Sequence, residues 1–334
     1  MVSESWCTNL RTMAMFMVVA LHASGLWLFS GMNTFDWNVA NAINSFTRPA
    51  VPFFFMITGY LLCGSKQLPF VEYMRKRFSR ILPSFIFVTV FAIIYRMSTG
   101  ESFSLSVLWQ MFYTPQFYHL WFFYAISIVY LGIWLFRPFS NSPVSGTLGC
   151  LALIFIVGGS LAQFVAGWTI RMETLSAYIF YAMAGFYIGH IPKYRFAPAV
   201  SLGVGVACLV FITLATRRLS IQTGATNQFW YEYTSMPVVL GSFALFYGLR
   251  HTLDSFKPST LVENFSAASL FVYCFHPFII DAGYARFPQL FLGQSTVSGV
   301  LSVVVFCVLT LTAIYTSWNF FISAGKIKNQ KNKT

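Results

Sequence analysis

Long apolar runs alternate with short polar segments along most of the chain, and the short segments hold nearly all of the charged residues. A bilayer's hydrocarbon core, about 30 Å thick, requires about 20 apolar residues of α-helix. Inside hydrocarbon only helices and closed barrels satisfy the backbone. Barrel strands would alternate apolar and polar residues, and the apolar run at 202–215 does not alternate. The pattern therefore predicts an all-α membrane protein that crosses the bilayer many times.

The apolar runs predict ten transmembrane helices and no soluble domain. Two of the spans are unusual, because the third contains Pro83 and is short, and the ninth contains His276-Pro277 and could be broken there. We predict one transmembrane domain over residues 1–325 and a basic cytoplasmic tail over 326–334. The predicted spans are 12–30, 45–63, 81–96, 118–136, 147–165, 174–191, 197–215, 234–250, 265–285 and 297–322.

Composition agrees with this pattern. Hydrophobic residues make up 57% of the 334 residues and charged residues 9%, and the mean hydropathy is +0.66. Soluble domains carry about 25% charged residues, so a soluble globular protein is excluded. The six cysteines are scattered and show no spacing typical of a metal or redox site. We predict no bound metal.

The distribution of Lys and Arg predicts the orientation of the bundle. If the N-terminus is cytoplasmic, fifteen of the 21 basic residues fall on the cytoplasmic side, including the loop at 66–80 and the tail. Cytoplasmic loops are enriched in Lys and Arg, so both termini are predicted to be cytoplasmic. A basic face against anionic membrane lipids also explains the net charge of +12, and no nucleic acid partner is needed.

Arg11 and His22 are titratable groups inside the first predicted helix. Eleven residues make about three turns, which places both side chains on one face about 16 Å apart. Arg11 is expected at the cytoplasmic rim and His22 near the middle of the membrane. An imidazole can act as the general base that deprotonates an alcohol. Alternatively, His22 is a structural hydrogen-bonding residue and Arg11 a flanking positive charge.

A basic cluster precedes the third predicted span, with Arg75, Arg77 and Arg80 as its arginines. Residues three apart project together from a helix, so Arg77 and Arg80 could bind the phosphates of a nucleotide-bearing substrate. The other interpretation is an interfacial anchor for lipid headgroups.

Four further residues are aromatic or basic and lie within or beside predicted membrane spans. His119 and Trp121 begin the fourth span, where an interfacial aromatic belt would explain Trp121 but not His119. His276 lies next to a proline in the ninth span, and Arg48 introduces the second. Ionisable groups within membrane spans mark functional sites by default.

These features occur together in one order: Arg11-x10-His22, the segment 53–62, Arg77-x-x-Arg80, His119-Leu-Trp-Phe and Tyr273-x-x-His276. The set resembles the acyltransferase-3 family of membrane O-acyltransferases over essentially the whole chain. One departure is Thr58, which stands where the family usually has serine and keeps the hydroxyl.

The resemblance implies an O-acetyltransferase of the bacterial inner membrane. Acetyl-CoA would be the donor, and a sugar hydroxyl of a surface polysaccharide or of its lipid-linked precursor would be the acceptor. The resemblance assigns catalysis to His22 and Arg11 and donor binding to the cluster containing Arg77 and Arg80. We expect the acceptor to be bound by His119, Trp121, His276 and Arg48. The alternative function is a transporter or flippase of a lipid-linked glycan, in which buried ionisable groups mark a transport path.

Overall fold

The computed structural model describes residues 4–29, 31–65, 68–102, 104–112, 114–137, 172–289 and 295–331. Every regular element in these ranges is helical, and a single 3₁₀ turn lies at Phe229–Tyr231. The α-helices are α1 (Ser5–Leu28), α2 (Phe35–Thr47), α3 (Ala50–Cys63), α4 (Phe70–Ser98), α5 (Ser106–Gln110), α6 (Trp121–Phe136), α7 (Met172–His190), α8 (Ala197–Thr223), α9 (Met236–Leu253), α10 (Thr260–Arg286) and α11 (Thr296–Lys331).

Within the described residues, six segments are long and apolar enough to cross a membrane. A shorter apolar helix, α6, has 16 residues. The all-helical prediction is confirmed for this part of the chain, whereas the count of ten spans stays a prediction. The fifth predicted span, 147–165, lies outside the described residues. The six segments are Ser5–Leu28, Phe35–Cys63, Phe70–Ser98, Ala197–Thr223, Thr260–Arg286 and Thr296–Phe320.

Several helix boundaries differ from the predicted spans. The second span consists of two helices, α2 and α3, which meet at Arg48-Pro49. Helix α4 begins at Phe70, so the basic cluster forms the first turns of the same helix as the predicted third span, and it continues through Pro83. Helix α10 likewise runs unbroken through Pro277. Helix α11 extends to Lys331, through most of the predicted tail.

Helix α1 lies at the centre of the bundle, where it packs against α2, α3, α9, α10 and α11. It begins at Ser5 rather than at residue 12, because Trp6 is buried against Tyr60 and Phe246 and continues the apolar surface of the helix. Arg11 is therefore about 9 Å inside the helix, six residues from its start, and its place at the cytoplasmic rim stays a prediction.

Helices α3 and α7 are in backbone contact through two glycines. A Cβ atom at Gly59 would lie 1.7 Å from the carbonyl oxygen of Ala182, and one at Gly185 would lie 2.1 Å from the carbonyl oxygen of Met56. The absence of both side chains lets the helices approach this closely. Small residues permit close packing of membrane helices in this way.

The bundle has two distinct ends. At one end, hydrogen bonds connect segments that are distant in sequence. The hydroxyl of Tyr60 donates to the carboxylate of Glu4, the side chain of Asn9 donates to the carbonyl oxygen of Phe256, and Arg137 donates to the hydroxyl of Ser65. At the other end, the C-terminal parts of α1, α2 and α10 and the start of α6 surround the 3₁₀ turn. The predicted donor arginines belong to the first end, and most of the other predicted site residues belong to the second.

Candidate active site

A cavity of about 820 Å³ lies at the second end of the bundle, and His22 forms part of its wall. Residues from five helices and from the segment around the 3₁₀ turn enclose it. Its lining consists of Leu21, His22, Gly25, Leu26, Leu28, Phe29, Asn44, Arg48, Tyr118, Trp121, Tyr178, Gln228, Glu232, Tyr233, Ile280, Asp281 and Tyr284. The cavity is large enough for a drug-sized or sugar-sized molecule.

His22 and His276 form a hydrogen-bonded pair. The Nδ1 atom of His22 lies 2.7 Å from Nε2 of His276, and the two rings stack with centroids 5.0 Å apart. The Nδ1 atom of His276 in turn lies 2.9 Å from the carbonyl oxygen of Val272. Helices α1 and α10, which pack against each other, position the two rings.

The hydrogen bonds of this pair select one tautomer of each neutral ring. A carbonyl oxygen only accepts, so His276 donates from Nδ1 to Val272 and its Nε2 keeps a lone pair. His22 therefore donates from Nδ1 to His276. Its own Nε2 is left unprotonated and without a hydrogen-bond partner among the described residues. A ring held in this tautomer can accept a proton from a molecule in the cavity.

His119 and His276 lie behind the cavity wall instead of facing it. His119 is 1% exposed and donates from Nε2 to the carbonyl oxygen of Cys274, at 3.2 Å, and His276 is fully buried. Neither ring lines the cavity, so the expectation that both contact the acceptor directly stays a prediction that this arrangement does not favour. Among the described residues, no group of three histidine, cysteine or acidic side chains is arranged to hold a metal ion.

Arg48 lies in the cavity wall and is held from two sides. Its guanidinium donates to the Asn44 side chain and lies 4.2 Å above the ring of Tyr231. Asn44 also donates to the carbonyl oxygen of Leu21, at 3.2 Å, which fixes the turn that precedes His22. Burial raises the pKa of Tyr231 to about 12, although Arg48 acts in the opposite direction. The phenol thus stays neutral and donates to Asn41 at 2.5 Å.

Aromatic rings form another part of the cavity wall. Trp121 stacks on Tyr178 with centroids 5.3 Å apart and lies 5.9 Å from Tyr233. Tyr118 contacts His22 edge to face, at 5.3 Å. Trp121 was predicted to belong to the site, whereas the three tyrosines were not. They come from different helices and loops, so no local pattern brings them together.

Two acidic side chains, Glu232 and Asp281, also line the cavity. Neither was assigned to the site from the sequence. The sequence does contain a signal for a functional role of Asp281, because the chain has only nine acidic residues and Asp281 falls within a predicted span.

Three arginines meet around Tyr130 at the opposite end. Arg11, Arg77 and Arg80 all lie close enough to its hydroxyl to act on it electrostatically. Arg11 also approaches the hydroxyl of Ser266, with its Nη1 atom 3.5 Å away. Tyr130 was missed from the sequence, where its only signal is a hydroxyl within the apolar run of α6.

The arginines of the basic cluster differ in their surroundings. Arg77 is 7% exposed and lies 5.2 Å above the ring of Tyr73, whereas Arg75 and Arg80 are exposed. Arg77 and Arg80, which the sequence predicts to project together, are therefore one buried arginine beside one exposed arginine.

The two groups of predicted residues are joined by α1. Arg11 belongs to the arginine end and His22 to the cavity end, eleven residues apart on one straight helix, which corresponds to about 16 Å. A molecule bound by the arginines must therefore extend about that far to reach His22.

Comparison with known proteins identifies the family. A family model described as an acyltransferase domain matches residues 4–318. A curated relative, an amino-acid racemase of Enterococcus faecalis, is 26% identical over an alignment of 294 positions that covers 81% of this chain and 40% of the relative. The chain thus spans about two fifths of that relative's length, and the activity in its name belongs to the longer protein. No solved structure matches the chain significantly.

The acyltransferase match extends from α1 into α11. It includes the arginines around Tyr130, the paired histidines and the cavity that His22 lines. The chain belongs to the acyltransferase-3 family and is a membrane-bound acyltransferase.

Proposed function

We propose that the protein is an O-acetyltransferase of the bacterial inner membrane. It transfers acetyl from cytoplasmic acetyl-CoA to a sugar hydroxyl of a surface polysaccharide or of its lipid-linked precursor. The observation that carries the proposal is His22, whose Nε2 atom is left unprotonated by the bond to His276 while the ring lines a cavity of about 820 Å³.

The donor is assigned to the arginine end of the bundle. CoA carries phosphates, and guanidiniums bind phosphate oxygens through directed, bidentate hydrogen bonds. Arg77 and Arg80 supply guanidiniums on α4, and Arg11 brings a third to Tyr130. The thioester lies at the far end of CoA's long flexible arm, which suits the separation of about 16 Å between Arg11 and His22.

His22 can serve the transfer in two ways. In direct transfer, Nε2 takes the proton of the sugar hydroxyl as the oxygen attacks the thioester carbonyl. The C–S bond then breaks, and the thiolate of CoA recovers the proton. In the two-step route, Nε2 attacks the carbonyl itself, the C–S bond breaks and CoA leaves as its thiolate. The sugar hydroxyl then attacks the acetyl group on Nε2, the N–C bond breaks to restore the imidazole, and the thiolate takes up the hydroxyl proton. In both routes Arg48, a cation in the same cavity wall, is placed to stabilise the negative oxygen of the intermediate.

The acceptor is assigned to the cavity. Sugars present apolar C–H faces and rings of hydroxyls, and the cavity combines the aromatic surfaces of Trp121 and Tyr178 with the carboxylates of Glu232 and Asp281. The sequence from Trp37 to Arg48 and into α3 also resembles the enterobacterial common antigen O-acetyltransferase. Short O-antigen acetyltransferases of phages have similar motifs. These resemblances support a bacterial surface glycan as the acceptor.

Two measurements test this function. Mass spectrometry of surface polysaccharides from cells with and without the gene should show the mass of one acetyl group added to a defined sugar. Purified protein should transfer or hydrolyse labelled acetyl from acetyl-CoA, which a transporter or flippase would not do. Unmodified polysaccharides together with inert acetyl-CoA would rule out the proposed reaction.

A further inference from the structure

A second cavity, of about 630 Å³, forms a groove between α10 and α11 at the same end of the bundle as His22. Helix α10 contributes Ile279, Ala282, Gly283 and Arg286 and is followed by Phe287. Helix α11 contributes Gly299, Ser302, Val303, Phe306 and Cys307. From Gly299 to Cys307 the groove runs about 12 Å along α11. None of its residues was assigned a role above.

The lining of this groove is apolar except at two positions. Arg286 lies at the end of α10 and is exposed, and Ser302 lies on α11. Within the described residues, Arg286 forms no ion pair. An apolar channel with one cation at its mouth is complementary to a hydrocarbon chain that carries an anionic head.

The groove and the catalytic cavity share helix α10. Ile280, Asp281 and Tyr284 face the cavity, while Ala282 and Arg286 face the groove. Asp281 and Arg286 are separated by five residues, about 7.5 Å along the helix. A phosphate at Arg286 would thus lie within the length of a sugar or two of the cavity wall.

We propose that this groove binds the single hydrocarbon chain of a glycolipid whose sugar is joined to the chain through phosphate, with Arg286 contacting the phosphate. The inference rests on the proposed function, in which the acceptor is lipid-linked, and it adds where the lipid is held. A two-chain phospholipid fits less well, because one groove accommodates one chain. In addition, the small headgroup of a phospholipid would not extend to His22. The lipid would enter sideways from the membrane and present its sugar over α10 to the cavity.

Photo-crosslinking tests the groove without requiring turnover. The probe is a farnesyl phosphate that carries a benzophenone on its chain, added to the purified full-length protein in nanodiscs, and labelled peptides are mapped by mass spectrometry. We expect labelling within 279–287 and 299–307. Unlabelled farnesyl phosphate should compete, and an equal concentration of phosphatidylglycerol should not.

Two pairs of variants give the matched comparison. Ala282→Phe fills the groove from an exposed position, and Ala267→Phe places the same side chain at an exposed position elsewhere on α10. Arg286→Gln removes the cation at the mouth, and Arg218→Gln removes an exposed arginine of α8. Groove labelling should fall about tenfold in Ala282→Phe and Arg286→Gln, the factor produced by a modest loss of binding energy, and stay unchanged in both controls.

Labelling elsewhere, equal competition by phosphatidylglycerol, or unchanged labelling in Ala282→Phe would overturn this inference. The test is independent of the proposed reaction, because hydrolysis of acetyl-CoA is measured separately on the same variants and should match that of the unmodified protein. Loss of groove labelling with retained hydrolysis supports the groove. Absence of hydrolysis in every variant and in the unmodified protein would count against the reaction instead.

Discussion

A single hydrogen bond between two imidazoles determines which nitrogen of His22 can react. His276 cannot donate from Nε2, because its proton is used on the carbonyl oxygen of Val272. His22 must then donate from Nδ1 and keep its lone pair on Nε2. We therefore expect His276 to position His22 and not to contact the substrate.

Replacing His22 should remove the base and leave the bundle intact. General bases contribute about 10²–10⁴ in rate, so His22→Ala should lower kcat by that factor. His22→Gln should be equally inactive, because an amide can keep the hydrogen bond to His276 but cannot take a proton. Acetyl transfer from labelled acetyl-CoA is the measurement, and His190→Gln, at the opposite end of the bundle, is the control. Near-normal transfer by well-inserted His22→Gln protein would make His22 a packing residue.

The donor site offers a second test on single residues. Arg77→Lys and Arg80→Lys should each raise the KM for acetyl-CoA, because lysine lacks the fork that binds phosphate bidentately. Arg77 should show the larger increase, since it is buried and lies over Tyr73. Arg195→Lys, an exposed arginine at the same end, should not change the KM. Unchanged kinetics in both donor variants would return the cluster to the lipid-anchor interpretation.

The sequence predicted several individual residues that line the cavity, but it did not predict which residues pair with each other. His22, Arg48 and Trp121 were predicted because each is a polar or aromatic group at a conspicuous place in a predicted span, and each lines the cavity. The partnership of His22 with His276 joins residues 254 positions apart, and no spacing within a helix reports it. The partner of His119 is equally distant in sequence, since it is a carbonyl oxygen on α10.

At the scale of helices, the hydropathy pattern predicted the helices themselves but not the positions at which they break. The second predicted span contains a break at Arg48-Pro49 that a hydropathy window averages over. Pro277 suggested a break where none exists, because helices in membranes tolerate proline when neighbouring groups satisfy the backbone. In α10, Pro277 removes the donor for the carbonyl oxygen of Tyr273, and the helix continues to Arg286.

The contact of α3 with α7 gives a prediction about stability. In Gly59→Ala the added methyl would lie 1.7 Å from the carbonyl oxygen of Ala182. Because backbone must move, the cost should reach the upper end of overpacking, about 3 kcal/mol. The apparent Tm in detergent should fall. Gly203→Ala on α8, with no atom within 4 Å of the added methyl, should leave it unchanged or raise it. An equal apparent Tm for the two variants would show that α3 and α7 can move apart without loss of stability.

For the whole molecule, the two ends of the bundle are predicted to lie on opposite sides of the membrane. The basic residues divide fifteen to six between the sides, which places the arginine end in the cytoplasm and the cavity end outside. Reporter fusions after Arg137 and after Lys328 should therefore both give cytoplasmic signals. A periplasmic signal from either fusion would overturn the predicted topology and separate the arginine cluster from the cytoplasmic donor.

The separation of Arg11 from His22 on one unbroken helix makes α1 a molecular ruler. A straight helix fixes both the rise and the turn between two residues, so the proposed reaction would depend on the length of the donor and not only on its charge. A thioester on a much shorter carrier could not be held by the arginines and reach the imidazole at once. The acyl group itself would occupy only the last part of this distance. In the proposed reaction, the carrier and the acyl group would thus be selected at separate places, about 16 Å apart along the same helix.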